Sequence, residues 1–101
     1  MGNIYKILWT DHALWELNNT YEYLELHFSE TELQKLTKEL DRTLRLIADN
    51  PTLFPVSDST GIRKAVVKKF NTLYYREGRY TIEIISFFSN RQSPKRRFGK
   101  K

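Results

Sequence analysis

The residues best equipped for chemistry are crowded toward the C-terminal end of the chain. Residues 61–101 hold 12 of the 17 lysines and arginines and only two carboxylates, Glu77 and Glu83. Residues 1–60 hold the other 5 cations against 10 carboxylates. Within the basic part, Arg63, Lys64, Lys68, Lys69 and Arg91 stand in or beside runs that alternate β-branched and aromatic residues with charge, and Lys95, Arg96 and Arg97 follow. Such segregation points to an anionic partner, a polyanion or an acidic protein, meeting this half of the chain. These eight cations are the candidate target-binding residues. Tyr74 and Tyr75 are adjacent, so on a strand they point to opposite faces. One can serve the core while the other stands on an open face near Arg63 or Arg91. An aromatic ring among cations on a sheet can hold nucleic acid by phosphate contact and stacking.

Other chemistries lack their residues. The chain has no cysteine, hence no thiol nucleophile, no disulfide framework and no cysteine zinc site, which fits a reducing compartment. His12 and His27 show no metal-ligand spacing. There is no glycine-rich phosphate loop and no G-x-S-x-G elbow. No metal or cofactor is expected. The carboxylates Glu16, Glu22, Glu25, Glu39 and Asp41 read as a solvated helix face. No apolar run approaches the ~18 residues of a membrane span, and no charged-then-apolar leader opens the chain. A cytoplasmic protein without membrane contact is expected.

The elements that must position these residues follow in order. A length of 101 residues sets one domain, large enough for a core without staples. Residues 3–9 (NIYKILW) form a β-type run. Thr10 or Asp11 can cap a helix whose Leu14, Leu17, Tyr21, Leu24 and Phe28 recur at steps of three and four. Ser29-Glu30-Thr31-Glu32 reads as a capping box opening a second helix with Leu33, Leu36, Leu40, Leu44 and Ile47 on its stripe, widened by Leu46 and Ala48. Asn50-Pro51 ends it. Residues 50–60 are a loop from which Leu53 and Phe54 reach the core. A strand then opens at Gly61 and carries Ile62, Ala65, Val66 and Val67. Lys68-Lys69 marks a turn or bulge, residues 70–75 a further strand, and Glu77-Gly78 a two-residue hairpin turn with glycine supplying positive φ. Residues 80–88 make the last strand. There Ile85 and Phe87 fall out of phase with Tyr80, Ile82 and Ile84, which signals a bulge or a strand covered on both faces. Trp9, Phe54, Phe70, Phe87 and Phe88 are expected in the core. The predicted fold is α+β, ordered β-α-α-β-β-β. A helical hairpin packs on a small, mainly antiparallel twisted sheet. Residues 1–94 form one domain and residues 95–101 a basic tail.

An ordered set of short matches accompanies this pattern. It comprises Trp9-Thr10 with Ala13 and Leu17, Tyr21 with Leu24, and Ile47-Ala48-Asp49-Asn50-Pro51 with Phe54-Pro55. It continues with Ile62-Arg63-Lys64 and Val67, Phe70 with Leu73-Tyr74-Tyr75, and Ile82-Glu83-Ile84-Ile85 leading to Asn90-Arg91-Gln92-Ser93-Pro94. Over residues 4–95 the chain resembles the RelE/ParE superfamily of bacterial type II toxin–antitoxin toxins, and looks closer to the ParE branch. The resemblance implies a growth-inhibiting toxin neutralised by a cognate ParD-like or RelB-like antitoxin, with which it would form a hetero-oligomer. RelE-like members cleave mRNA in the ribosome. ParE-like members act on DNA gyrase and are not known to do chemistry of their own.

RNA cleavage by attack of a 2′-hydroxyl needs a proton acceptor, a proton donor and cations on the phosphate. Arg63, Lys64, Lys68, Lys69 and Arg91 supply the cations. The proton-transfer groups are poorly supplied. In RelE-like enzymes an arginine stands on the strand read here as residues 70–75, and a tyrosine follows the last-strand arginine. Here the first place falls near Thr72, and no tyrosine follows Tyr80. A ribonuclease built from this chain would use Arg91, Arg63 and Lys64 on the phosphate, with Tyr74 or Tyr75 as an unconventional acid/base group. The expected action is therefore ParE-like poisoning of gyrase. A ribosome-dependent endoribonuclease is the first alternative, and a non-toxic nucleic-acid-binding module the second.

Overall fold

Two helices with side-chain caps follow the first strand. The structure, a computed structural model, describes residues 5–57 and 59–90. Its elements are β1 (Lys6–Trp9), α1 (Asp11–His27), α2 (Glu30–Asp49), β2 (Arg63–Val67), β3 (Asn71–Glu77) and β4 (Thr81–Ser89), in the predicted β-α-α-β-β-β order. Thr10 caps α1 by accepting from the Ala13 amide at 3.1 Å, and Asp11 sits in the first turn, where the helix dipole favours a negative charge. Ser29 caps α2 by accepting from the Glu32 amide at 3.2 Å. The Asn50 amide closes α2 on the Leu46 carbonyl at 2.9 Å, and Pro51 prevents continuation.

The four strands form one sheet in the order β1-β4-β3-β2. β1 runs parallel to β4. The β2–β3 and β3–β4 pairs are antiparallel, so the sheet is mixed but mainly antiparallel. The phase slip in the last strand is a bulge. Tyr74 pairs with Ser86 and Tyr75 with Ile84, which leaves Ile85 as the extra residue. The bulge lets Ile82 and Ile84 before it, and Phe87 and Ser89 after it, all lie buried. β1 covers β4 only from Thr81 to Ile84, so the edge of β4 beyond Ile84 needs other partners.

The core lies between one sheet face and the helical hairpin. Leu36, Ile47, Leu73, Ile82, Ile84 and Phe87 are each no more than 1% exposed, and burying such a side chain contributes about 1.5–3 kcal/mol. Ala13, Thr20 and Leu24 form the buried line of α1, and Leu36, Leu40, Thr43 and Ile47 that of α2. Trp9 and Phe54 pack against this core half-buried. Small Ala13 and Thr20 seat α1 close to the sheet, and the bulkier Leu14 and Phe28 fall on its flanks, 41% and 43% exposed, although periodicity alone puts both on the apolar stripe. Leu46, at 39%, and Leu53, at 49%, are likewise more exposed than expected. The 50–60 loop inserts Phe54 and Pro51 instead. Phe70 and Phe88 are half-buried rather than core.

The β3–β4 hairpin turns two residues later than expected. β3 runs on to Glu77 and β4 begins at Thr81. The Gly78 amide donates to the Thr81 carbonyl at 2.8 Å, so Arg79 and Tyr80 take the turn. Tyr80, at φ 64°, carries the left-handed backbone there. Gly78 serves a different need: a Cβ on it would lie 2.6 Å from the Thr81 Oγ1. Close approach across the hairpin, not positive φ, calls for glycine at this place.

Candidate target-binding surface

Strand alternation sorts the candidate residues onto two faces. In β3, Leu73 and Tyr75 are buried against the helices, so Thr72, Tyr74 and Arg76 belong to the opposite, open face. Register carries that face into β2, where Lys64 lies opposite Tyr74 and Val66 opposite Thr72. It carries it also into β4, where Phe88 lies opposite Thr72 and Glu83 opposite Arg76. The open face therefore presents Lys64 beside the half-buried Tyr74 ring. Further along it, the Arg76 guanidinium binds the Glu83 carboxylate at 3.0 Å. That pair occupies the one carboxylate that β4 contributes.

Arg63 and Tyr75 sit on the helix side. Tyr75 is fully buried and its hydroxyl donates to the Pro51 carbonyl at 2.7 Å. Burial pushes its phenol above the ordinary tyrosine range, against the opposing pull of Arg63 and the Phe54 backbone, and Glu77 adds a further push. A phenol so held is a poor proton donor at neutral pH. Arg63 donates to the Phe54 carbonyl at 2.7 Å and so pins the same loop. The structure thus joins Lys64 with Tyr74 and Arg63 with Tyr75, on opposite faces. Arg91, Lys95, Arg96 and Arg97 lie outside the described residues.

Lys68 and Lys69 form the β2–β3 turn, at φ 52° and 72°. Left-handed backbone costs a residue with a Cβ roughly 1–2 kcal/mol. Lys68 Nζ lies 3.9 Å from Glu32, and Lys69 Nζ sits 5.5 Å from the Phe70 ring centroid. The Asn71 side-chain amide braces the turn from within by donating to the Val67 carbonyl at 3.1 Å.

One carboxylate read as solvated is not. Glu16 Oε1 accepts from the Ser86 hydroxyl at 2.7 Å and from the Phe87 amide at 2.8 Å, with its side chain only 17% exposed. It takes over the edge of β4 where β1 stops. Thr10 prepares the handover, its amide donating to the Ile84 carbonyl at 3.1 Å and its hydroxyl to the Ile85 carbonyl at 3.3 Å. His12 Nε2 lies 3.4 Å from the same Glu16 oxygen. No local signal marks Glu16, because its partners are 70 and 71 residues away. The remaining helix carboxylates behave as expected: Asp41 pairs with Arg45 and Glu39 with Arg42 on the surface. Among the described residues no group of three or more metal-ligating side chains occurs, and no helix is long and apolar enough to cross a membrane.

The helical hairpin thus lies on one face of a β1-β4-β3-β2 sheet with a parallel outer pair, and the other face is left open. Among solved structures the chain is similar to one described as the chromosomal ParDE TA system from P. aeruginosa. The TM-score is 0.71 at 14% identity, covering 87% of this chain and 98% of that one. It is also similar to a YoeB/ParE toxin from Agrobacterium tumefaciens, with a TM-score of 0.58 at 14% identity over 84% of this chain and 98% of that one. No protein-family model matches the sequence, and no curated protein matches it. The likeness is one of fold.

Proposed function

We propose that the chain is the toxin of a bacterial type II toxin–antitoxin system, acting in the cytoplasm and held in check by an antitoxin of the ParD kind. The reading rests on a fold shared over nearly the whole of both solved relatives. We further propose that it acts as ParE-like proteins do, by gripping and poisoning DNA gyrase rather than by cutting RNA. The observation that carries this choice is how the proton-transfer groups are occupied. Glu83 is tied to Arg76, Tyr75 is buried on Pro51, and the two described histidines lie on α1. Cations and one phenol on an open face suit holding a target. Among the described residues, that face sets no carboxylate or imidazole beside the phenol as the paired acceptor and donor that phosphodiester cleavage needs, Glu83 being held by Arg76.

Pulse induction in growing cells tests the reading. Gyrase poisoning produces DNA breaks and an SOS response while translation continues. Early loss of translation, with mRNA ends mapping inside codons, would instead establish the ribonuclease alternative, which the pairing of Lys64 with Tyr74 favours. Co-expression of a short acidic antitoxin from a neighbouring reading frame should restore growth in either case. Its failure to do so, with no growth arrest to reverse, would leave the nucleic-acid-binding module as the function.

A further inference from the structure

We propose that the Lys68–Lys69 turn is a docking point for the phosphodiester backbone of a nucleic acid. Two successive lysines hold left-handed backbone here, a conformation that glycine or asparagine adopts with less strain. Strain of this kind is retained where the side chains have a use. The local partners do not supply that use. Lys68 meets Glu32 only at 3.9 Å, and that carboxylate is shared with Lys35, also at 3.9 Å. A partly exposed pair at such a distance adds little to stability. Lys69 stands exposed, with its ammonium over Phe70. Glu32 is shared by two lysines, and Lys69 adds a third cation at the turn.

The tip is also held in place. The Phe70 amide closes on the Lys68 carbonyl at 2.6 Å, and the Asn90 amide donates to the Phe70 carbonyl at 2.7 Å. The second bond fixes the turn beside the end of β4.

The chemistry favours phosphate over an acidic protein. The void beside the turn, lined by Thr20, Leu24, Glu32, Lys68, Phe70 and Asn71 among others, is about 10 Å³, room for one water at most. It cannot take the buried anchor side chain on which protein partners rely. A phosphate needs only point charges at the right place, and lysine supplies these without base preference. The inference goes beyond the toxin reading and stands whichever macromolecule the toxin inhibits.

The test is a salt titration of binding, with purified full-length chain against a labelled DNA duplex and, separately, a single-stranded RNA. No gyrase, ribosome or cell is involved, so the result is independent of the toxin reading. The variant Lys68→Gly/Lys69→Gly should melt at a higher temperature than the parent, because it relieves the turn. It should bind more weakly, with the slope of log K against log salt reduced by about 1–2, near 0.9 for each duplex phosphate that the variant no longer neutralises. Lys68→Asn/Lys69→Asn provides the same reading should glycine loosen the unfolded chain enough to mask the rise in melting temperature. The arm with the larger slope change identifies DNA or RNA as the natural backbone. Variants that fold and keep the parental slope on both nucleic acids would overturn the proposal. So would a parent that binds neither, or an equal loss of binding to a polyglutamate peptide.

Discussion

Glu16→Ala should be among the most damaging single changes on the helix surface. Glu16 Oε1 receives the Ser86 hydroxyl at 2.7 Å and the Phe87 amide at 2.8 Å. A hydrogen bond to a charged group is worth about 1.5–3 kcal/mol net, and an amide left unpaired away from water costs about 1–3 kcal/mol. The side chain is 17% exposed, so water replaces the carboxylate only in part. Taking the lower ends of these ranges, the loss is about 3 kcal/mol, against a typical domain stability of about 5–15 kcal/mol. For a domain of this size that corresponds to a fall of roughly 12–24 °C in melting temperature. Glu16→Gln keeps an oxygen where both donors point but loses the charge, and neutral bonds are about half as strong, so its loss should be about 1–1.5 kcal/mol. Ser86→Ala alone removes one donor and should cost about 1 kcal/mol. The same change made in the Glu16→Ala background should cost almost nothing, because the partner has gone. Urea unfolding followed by circular dichroism measures the four variants against the parent. A loss below about 0.5 kcal/mol for Glu16→Ala, the range of an ordinary surface change, would show that Glu16 does not hold the β4 edge. Strict additivity with Ser86→Ala would show the same.

Tyr75→Phe should cost about 1–2 kcal/mol by leaving the Pro51 carbonyl unpaired. Its pH signature follows from the raised phenol. The contribution is complete below the unfolded value near pH 10 and is lost as pH rises through the higher folded value, so alkaline unfolding curves of the parent should steepen there more than those of the variant. Gly78→Ala places a Cβ 2.6 Å from Thr81 Oγ1 and should cost about 1–3 kcal/mol, the range for overpacking; Thr81→Ala in the same chain should recover most of it in thermal melts. The two faces of β2 should respond differently. Arg63→Ala, which loses the bond to the Phe54 carbonyl, should lower stability by about 1–2 kcal/mol. Lys64→Ala should melt as the parent does but lose growth inhibition on induction. Full toxicity of a well-expressed Lys64→Ala protein would remove the open face from the target surface.

Much of this protein is written in local pattern. The caps at Thr10 and Ser29, the stop at Asn50-Pro51, the turn at Lys68-Lys69 and the phase slip around Ile85 each depend on residues a few positions apart. Their chemistry is therefore legible along the chain, and with them the element order and the crowding of cations into the last strands. What stayed closed is the phase of each strand relative to the helices. Alternation says that Tyr74 and Tyr75 face apart, and Arg63 and Lys64 likewise. It does not say which of each pair the hairpin will cover. Only the packed sheet decided that Lys64 stands with Tyr74 in the open while Arg63 and Tyr75 pin the loop beneath. Glu16 was closed for the same reason. Its amphipathic position reads as solvent, and its true surroundings exist only once β1 ends four residues along β4 and leaves an edge that a carboxylate from a distant helix can fill. Short-range hydrogen bonds and periodicity are properties of a segment, whereas burial and edge pairing come into being only when segments meet.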